Sequence, residues 1–318
     1  IHLSTWLSSE MRDLFDKYQS IDYQKGQLNK DFWEKINKIP EKDIWHAHNS
    51  SKERFFSYVK EKVTLNWTRE GEEPAKLELF LKNLDPTPLT IGFARRFATY
   101  KRATLLFKDF DRLKKILLNP EYPVQLVFAG KAHPDDLEGA RLIKEIVAIS
   151  KMPEFLGKII FLEDYNIKLA RKLVSGVDVW LNNPIRPNEA SGTSGMKAGI
   201  NGVINCSILD GWWDEAYDST NGWAIGEQKQ YKNTDTQNIF DSESFYDILE
   251  NEIVASYYNR NNRGVPVQWV EKMKRSMITI LGGFNTHRML NDYFRDMYLP
   301  TASRYALLSD KSFEKAKS

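Results

Sequence analysis

Short apolar runs that alternate with segments of helical spacing dominate the middle of this 318-residue chain. Continuous apolar runs of this length are typical of parallel strands buried on both faces, whereas half-exposed antiparallel strands alternate apolar and polar residues. The repetition of strand and helix predicts an α/β fold, a doubly wound parallel sheet with right-handed crossovers. The predicted strands are LTIGFA (89–94), VQLVFAG (124–130), KIIFLE (158–163), VDVWLN (177–182) and VINCSIL (203–209).

The segments on either side of this region are predicted to be mainly helical. Residues 1–80 carry apolar side chains at helical spacing and form a helical lead-in expected to pack on the same domain. Residues 81–300 form the sheet domain with the helices that follow it. Residues 301–318 form a C-terminal tail, whose charged end is expected to fray.

Three polar or aromatic stretches are predicted to be loops, at 66–75, 210–228 and 233–242. The second contains Trp212 and Trp213. Aromatic side chains can stack on a sugar ring, and they equally often serve a core. The sequence leaves both roles open for this pair.

The composition narrows the range of partners. The net charge of +2 gives no overall reason to expect nucleic acid or a membrane surface, so any anion site must come from local clustering. No apolar run is long enough to span a bilayer. The one cysteine, Cys206, lies in an apolar run and fits a small buried residue of a cytoplasmic protein. His46 and His48 do not share a helix face, and no metal is assigned to them.

The stretch from Asn188 to Gly202, NEASGTSGMKAGING, combines an acid, several small residues and one lysine, Lys197. Small residues leave backbone N–H groups uncovered, and a helix beginning near Thr193 would direct several of them at one anion. A lysine one turn into that helix could form a Schiff base with pyridoxal phosphate bound there. Spacing alone also fits the alternative, a capped turn followed by a solvated lysine.

A second candidate anion-binding segment is the basic block GFARRFATYKRA, residues 92–103. It begins in the predicted strand 89–94, while Glu189 and Lys197 follow the predicted strand 177–182. Ligands of doubly wound sheets bind beyond the carboxyl ends of the strands, so the two blocks are expected to meet at one edge. Cations at a helix N-terminus oppose the dipole, which favours a bound anion over a solvated basic turn. The four cations are Arg95, Arg96, Lys101 and Arg102.

These two blocks resemble known motifs. EASGTSGMK resembles the cofactor-lysine motif of the α-glucan (glycogen, starch and maltodextrin) phosphorylases, and GFARRFATYKRA resembles their basic phosphate-site segment. Further matches extend from the first residues to FNTHRML near Phe284. The resemblance implies the Rossmann-like C-terminal domain of a two-domain glycosyltransferase architecture. It also implies an enzyme that uses pyridoxal 5'-phosphate to pass a glucosyl unit from the non-reducing end of an α-1,4-glucan to phosphate, with retention.

The match of motif positions implies three sets of site residues and no metal ligand. The residues expected to be catalytic, through contact with the cofactor or the substrate phosphate, are Lys197, Arg96, Lys101 and Arg95. The residues expected to bind the cofactor are Lys197, Gly192, Thr193, Ser194, Tyr165, Asn166 and Trp6. The residues expected to bind the hydroxyls of the reacting glucose are Glu189, Ala190, Ser191 and Gly192.

The chain departs from the family pattern at three places. Arg95 stands where the animal enzymes have lysine, which keeps the charge, and Asn166 stands where they have an arginine near the cofactor phosphate. Ser194 and Gly195 replace Gly-Asn, which resembles the shorter bacterial and archaeal branch of the family. Allosteric control of the mammalian kind is therefore not expected.

Only the C-terminal one of the family's two sheet domains is matched. Because the family's site lies in a cleft between them, the chain is expected to bind cofactor without completing turnover by itself. The implied partners are an α-glucan, inorganic phosphate and the N-terminal domain, on the same polypeptide or a separate chain; a homo-oligomer is compatible. Two alternatives stay open: a nucleotide-sugar glycosyltransferase such as a glycogen synthase, and a non-catalytic domain that binds glucan or a partner subunit.

Overall fold

A computed structural model describes residues 1–19, 26, 28, 30–229, 231–309 and 313. Its centre is a six-stranded sheet in which every neighbouring pair of strands is parallel. The strands are β1 (Leu89–Arg96), β2 (Val124–Lys131), β3 (Ile159–Leu162), β4 (Val179–Asn182), β5 (Ile204–Ile208) and β6 (Gly222–Ile225). Their order is β3-β2-β1-β4-β5-β6, so the direction of winding reverses between β1 and β4. The predicted doubly wound sheet is confirmed.

Helices precede, connect and follow the strands. The lead-in holds α1 (Leu3–Trp6), α2 (Ser9–Gln19), α3 (Lys30–Trp33), α4 (Glu41–Glu70) and α5 (Pro74–Asn83). Between the strands lie α6 (Phe110–Leu117), α7 (Leu137–Ser150), α8 (Ile167–Gly176), α9 (Ser194–Gly199) and α10 (Trp212–Ala216). After the sheet come α11 (Thr234–Ile248), α12 (Val254–Tyr258), α13 (Val267–Gly283), α14 (Thr286–Tyr293) and α15 (Leu299–Ser309), with π-helical turns at Leu249–Ile253 and Phe294–Tyr298.

Alternate residues of the strands enter two hydrophobic cores, one on each face of the sheet. Ile91 and Phe93 of β1 face the larger core, which also takes in the lead-in helices and α13. Ala94 of β1 and Trp180 of β4 face the smaller core, beneath α4 and α8. Burial on both faces explains why these strands are continuously apolar in sequence.

The structure corrects three sequence predictions of loops. Helix α4 continues through Glu70, which leaves a turn of three residues, 71–73, where a loop over 66–75 was expected. Strand β6 lies inside the stretch 210–228, and α11 occupies most of 233–242. Asn233 explains the start of α11, because its side chain accepts a hydrogen bond from the N–H of Thr236 at 2.8 Å.

Two further segments differ from expectation at their ends. The segment RATLLFKDFDRLKKILL (102–118) has helical spacing and was expected to be a helix, but the helix begins only at Phe110 because a short 3-10 turn occupies Leu105–Phe107. Another 3-10 turn, Thr99–Lys101, lies between β1 and this segment. The predicted tail is helical as far as Ser309. Beyond that residue only 313 is described, so the expected fraying of the charged end lies outside the described residues.

A buried set of charges lies where β4 begins, at the amino end of the strand. Asp178 accepts hydrogen bonds from Lys52, from His48 at 2.8 Å and from the N–H of Thr90 at 2.8 Å. Lys52 also donates to the carbonyl of Pro88 at 2.6 Å. These bonds tie α4 to the sheet at the edge opposite to the candidate site.

Candidate active site

Two segments distant in sequence meet at the carboxyl edge of the sheet. Arg95 lies near the end of β1, Lys101 lies in the turn that follows, and Glu189 lies in the loop after β4. The Glu189 carboxylate accepts hydrogen bonds from Arg95 and, at 2.7 Å, from Lys101 Nζ. We call these three residues the anion cluster. It sits where the winding of the sheet reverses, which is where open α/β sheets form their ligand crevice.

Glu189 is held ionised within this cluster. It is only 8% exposed. Burial alone would raise its pKa, but hydrogen bonds and positive charge from Lys101 and Arg95 outweigh burial and hold the pKa below its ordinary value. Its backbone N–H donates to Asp210 at 2.9 Å, which fixes the loop as well as the side chain.

Arg95 carries hydrogen-bonding capacity that its neighbours do not use. Its side chain is 7% exposed, and its buried Nη1 has no hydrogen-bond partner among the described residues. A buried guanidinium N–H without an acceptor is costly, and an anionic oxygen would satisfy it. Arg96, the next residue, is exposed at the same edge.

Lys197 lies one turn into α9, as the spacing predicts. Its amine lies 4.1 Å from the ring centroid of Trp6, and burial lowers its pKa. The helix begins at Ser194 but ends at Gly199, so it is a short helix of six residues. The dipole of so short a helix is small and would add little to the binding of an anion at its N-terminus.

Two hydrogen bonds fix the loop between Glu189 and α9. The Ser191 carbonyl accepts one from the N–H of Trp212 at 2.9 Å, and the Ser194 hydroxyl accepts one from the Trp180 indole at 3.2 Å. Gly192 has φ of +79°, a value that favours glycine. A Cβ at that residue would lie 3.7 Å from Glu189 Oε1, which places Gly192 beside the anion cluster.

Several residues predicted to bind the cofactor or the sugar belong neither to the anion cluster nor to the contact between Lys197 and Trp6. Asn166 caps α8 by accepting a hydrogen bond from the N–H of Leu169 at 3.0 Å. Tyr165 packs partly buried against the smaller core, where burial raises its pKa. The exposed residues of the loop are Ala190, Ser191 and Thr193.

Arg102 and the tryptophan pair serve the fold. Arg102 is buried, pairs with Asp241 at 2.7 Å and donates to two carbonyls of the loop after β4, those of Asn183 and Pro184, at 2.8 Å each. It therefore fixes the loop and is not one of the cations of the anion cluster. Trp212 and Trp213 are buried in the larger core, which decides between their two possible roles in favour of packing.

Two residues of the site were missed by sequence reasoning. Asp210 is the second residue after β5, so the rule that ligand sites lie at carboxyl ends could have drawn attention to it. Asn201 sits in an Asn-Gly turn after α9, and its side chain bonds to the segment around Trp6. These bonds join residues 193 and 195 positions apart, and no local sequence pattern predicts contacts between residues so far apart. Among the described residues, no set of three or more His, Cys, Asp or Glu side chains could hold a metal ion, and no helix is long and apolar enough to cross a bilayer.

The sequence of this chain is similar to those of known proteins. A family model described as carbohydrate phosphorylase matches residues 78–297. The chain is 46% identical to a glycogen phosphorylase of Aquifex aeolicus, over 94% of this chain and 43% of that relative. It is 44% identical to a maltodextrin phosphorylase of Thermococcus litoralis, over 99% of this chain and 37% of that relative. It is 35% identical to a glycogen phosphorylase of Mycobacterium tuberculosis, over the whole of this chain and 36% of that relative.

The chain thus spans about two fifths of the length of these relatives. The family match includes β1 with its basic end, Glu189 and Lys197, and it covers more than half of the chain. On that evidence, the chain belongs to the carbohydrate phosphorylase family.

Proposed function

We propose that this chain is the part of an α-1,4-glucan phosphorylase that holds pyridoxal 5'-phosphate on Lys197 and gathers phosphate beside it. The proposed reaction moves a glucosyl unit from the non-reducing end of an α-glucan to inorganic phosphate and yields α-glucose 1-phosphate. The observation that carries the proposal is the partly buried Lys197 amine beneath the Trp6 ring, on the loop and helix that also bring Glu189 to Arg95 and Lys101.

The chemistry of these residues fits the cofactor. The lowered pKa of Lys197 increases the neutral fraction of its amine, the form that attacks an aldehyde. The Trp6 ring offers a flat apolar wall beside that amine, and the buried Nη1 of Arg95 can donate to a phosphate oxygen. When bound, the cofactor would supply a phosphate group able to exchange a proton with the substrate phosphate.

The chain's own residues would divide the remaining work. Arg95, Arg96 and Lys101 would hold phosphate oxygens and stabilise negative charge, with the arginines presenting planar forks and Lys101 a single ammonium. Ser194 already accepts a hydrogen bond from Trp180, so its hydroxyl proton is left to donate to a phosphate oxygen. Gly192, which lacks a side chain, would let a ligand approach the loop backbone closely.

Glu189 and the exposed residues after it would face the sugar. The Glu189 carboxylate is held by two cations and its backbone by the Asp210 bond, so it has little freedom to move. It could therefore orient a glucose hydroxyl without a large loss of side-chain entropy. Ala190 and Ser191 are exposed beside it. The family match favours phosphorolysis over transfer from a nucleotide sugar.

Covalent labelling tests the assignment of Lys197. The chain is incubated with pyridoxal phosphate, reduced with borohydride and analysed by peptide mass spectrometry. We expect one pyridoxyl group on Lys197, and none on the Lys197→Ala variant. Lys272→Ala is the matched control, because Lys272 is also a partly buried lysine whose pKa is lowered by burial. Equal labelling of Lys197 and Lys272 would refute the assignment.

Turnover is tested separately from binding. The chain is supplied with cofactor, phosphate and maltodextrin, and glucose 1-phosphate is measured beside a full-length relative as positive control. Because the chain spans about two fifths of its relatives, we expect cofactor binding without product. Product from the chain alone would show that these residues suffice for turnover, and labelling at Lys197 would still report on the cofactor.

A further inference from the structure

A buried asparagine beyond the motif lysine connects the two segments that form the amine site. Asn201 follows α9, is 1% exposed, and lies in a turn closed by hydrogen bonds from its own N–H to Ala198 and from Gly202 to Gly199, each 3.0 Å. Gly202 has φ of +79°, and this left-handed residue turns the chain from α9 into β5. The turn therefore fixes where the Asn201 side chain begins.

The side-chain amide of Asn201 bonds to three backbone groups. Its oxygen accepts from the N–H of Ser8 at 2.7 Å. Its nitrogen donates to the carbonyl of Trp6 and to the carbonyl of Lys197, at 2.9 Å each. The partners fix the orientation of the amide, because a flipped group would face two carbonyls with its oxygen and an N–H with its nitrogen.

These bonds join parts of the chain that are far apart in sequence. Trp6 and Ser8 lie at the junction of α1 and α2, and they precede Asn201 by 195 and 193 residues in the sequence. Lys197 lies on α9, four residues before Asn201. One amide thus holds the backbone of Trp6 and the backbone of Lys197 at the same time.

The consequence is geometric. The Trp6 ring lies over the Lys197 amine, 4.1 Å from ring centroid to Nζ, and it is the only ring contact of that amine among the described residues. Ring position depends on where the Trp6 backbone is held, and amine position depends on the Lys197 backbone. Asparagine suits this place because it offers two donors and an acceptor on a short side chain, whereas leucine offers none and aspartate cannot donate to the two carbonyls.

We propose that Asn201 is a positioning residue, whose amide holds the Trp6 ring against the Lys197 amine and so sets the solvation and reach of that amine. The inference rests on the proposed role of Lys197 in binding the cofactor. Asn201 lies outside the cofactor-lysine motif EASGTSGMK, and its proposed effect on the Lys197 amine passes through the position of the Trp6 ring. In agreement, burial lowers the pKa of Lys197.

The test measures the amine in the chain without added cofactor. Acylation of Lys197 by a small anhydride is followed across pH by peptide mass spectrometry. The midpoint of the rate reports proton affinity, and the plateau at high pH reports access. For Asn201→Ala we expect a higher midpoint and labelling slower by roughly threefold or more near neutral pH, since an exposed ammonium holds its proton more tightly. Trp6→Ala should shift the midpoint in the same direction, and the double variant should add little.

Asn221→Ala provides the matched structural control. Asn221 is equally buried and donates to the carbonyl of Ala216 at 2.6 Å, yet it lies beside β6 and contacts neither Trp6 nor Lys197. It should lose stability without moving the midpoint of Lys197. If Asn201→Ala does not fold, Asn201→Ser takes its place, because the serine hydroxyl can replace one of the three hydrogen bonds. The midpoint of Lys197 acylation should then shift in the same direction.

A midpoint in the Asn201 variant equal to that of the wild type, or equal shifts in the Asn201 and Asn221 variants, would overturn the proposal. Fully additive shifts in the double variant would overturn the route through Trp6. Because no cofactor is present, these outcomes are independent of whether Lys197 is later labelled by pyridoxal phosphate. A failure of the positioning role is thus distinguishable from a failure of the proposed function.

Discussion

Gly211 is the residue at which a single added carbon should disturb the site most directly. It has φ of +58° and ψ of −134°, a region that residues with a side chain avoid. A Cβ would meet the backbone of Ser191, 2.8 Å from its carbonyl carbon and 3.0 Å from its Cα, and closer still to its carbonyl oxygen. These are backbone atoms, so no rotamer change relieves the clash. Gly211 also separates Asp210, which binds the N–H of Glu189, from Trp212, which binds Ser191.

The expected cost of Gly211→Ala has two parts. The backbone conformation alone costs about 1–3 kcal/mol for a non-glycine residue. Displacing the Ser191 segment also weakens the Trp212–Ser191 and Glu189–Asp210 hydrogen bonds, each worth about 1 kcal/mol. We therefore expect a loss of about 4 kcal/mol in the free energy of unfolding, together with weaker labelling of Lys197 by pyridoxal phosphate.

Denaturant unfolding measures the first effect, and borohydride trapping measures the second. Gly71→Ala is the control: Gly71 has φ of +71°, and a Cβ there would have no described atom within 4 Å. It should cost only the positive-φ penalty of about 1–2 kcal/mol and leave labelling unchanged. If Gly211→Ala costs no more than Gly71→Ala, or if labelling is equal in both, the loop does not depend on Gly211 as argued.

Three further outcomes follow from the charges. The pKa of Glu189 in the folded protein lies below its ordinary value. Its carboxylate therefore stabilises the fold at pH values above the unfolded-state pKa of about 4.3, and this stabilisation is lost as the pH falls through the folded-state pKa. Glu189→Gln should flatten that acid limb in urea unfolding, and parallel limbs would contradict this. Lys101→Ala should weaken the binding of inorganic phosphate about tenfold in calorimetry. The control Lys108→Ala, at an exposed lysine, should leave phosphate binding unchanged. Equal losses of affinity in the two variants would count against phosphate binding at the anion cluster. Asp178→Asn should cost about 3–5 kcal/mol because it leaves Lys52 buried with weaker partners, and adding Lys52→Met should recover much of the loss in unfolding experiments.

The strands could be predicted because their burial on both faces makes them continuously apolar. β6 was not predicted because it is four residues long, includes a glycine and lies in a stretch rich in turn residues, and because β5 is its one partner among the described strands. The part of α11 within 233–242 was not predicted for a different reason: several of its buried residues are polar, among them Asp241, which is buried to pair with Arg102. Apolar periodicity cannot reveal a helix that buries polar groups.

The candidate site was predictable in part. The carboxyl-end rule places the basic block and the lysine motif at one edge, and the structure brings Arg95 and Lys101 to Glu189. The rule does not say which cation faces inward. Arg102 follows Lys101 directly, but its φ of +51° and its bonds to Asn183 and Pro184 send it into the fold. Asn201 likewise depends on a contact with the lead-in, which spacing within the motif cannot encode.

Charge balance distinguishes the candidate site from the structural ion pairs of the same chain. Arg102 is matched by Asp241, and Asp178 is matched by Lys52, with His48 and backbone groups completing its hydrogen bonds. In the anion cluster two cations instead contact one carboxylate, and the second buried carboxylate of the site, Asp210, binds the Glu189 N–H rather than a cation. One buried N–H of Arg95 therefore has no acceptor among the described residues. A buried guanidinium N–H without an acceptor is destabilising by itself, and such exceptions concentrate where a protein binds a ligand. The unpartnered N–H therefore favours an anion beside Arg95, and a phosphate held by Arg95 and Lys101 would supply it.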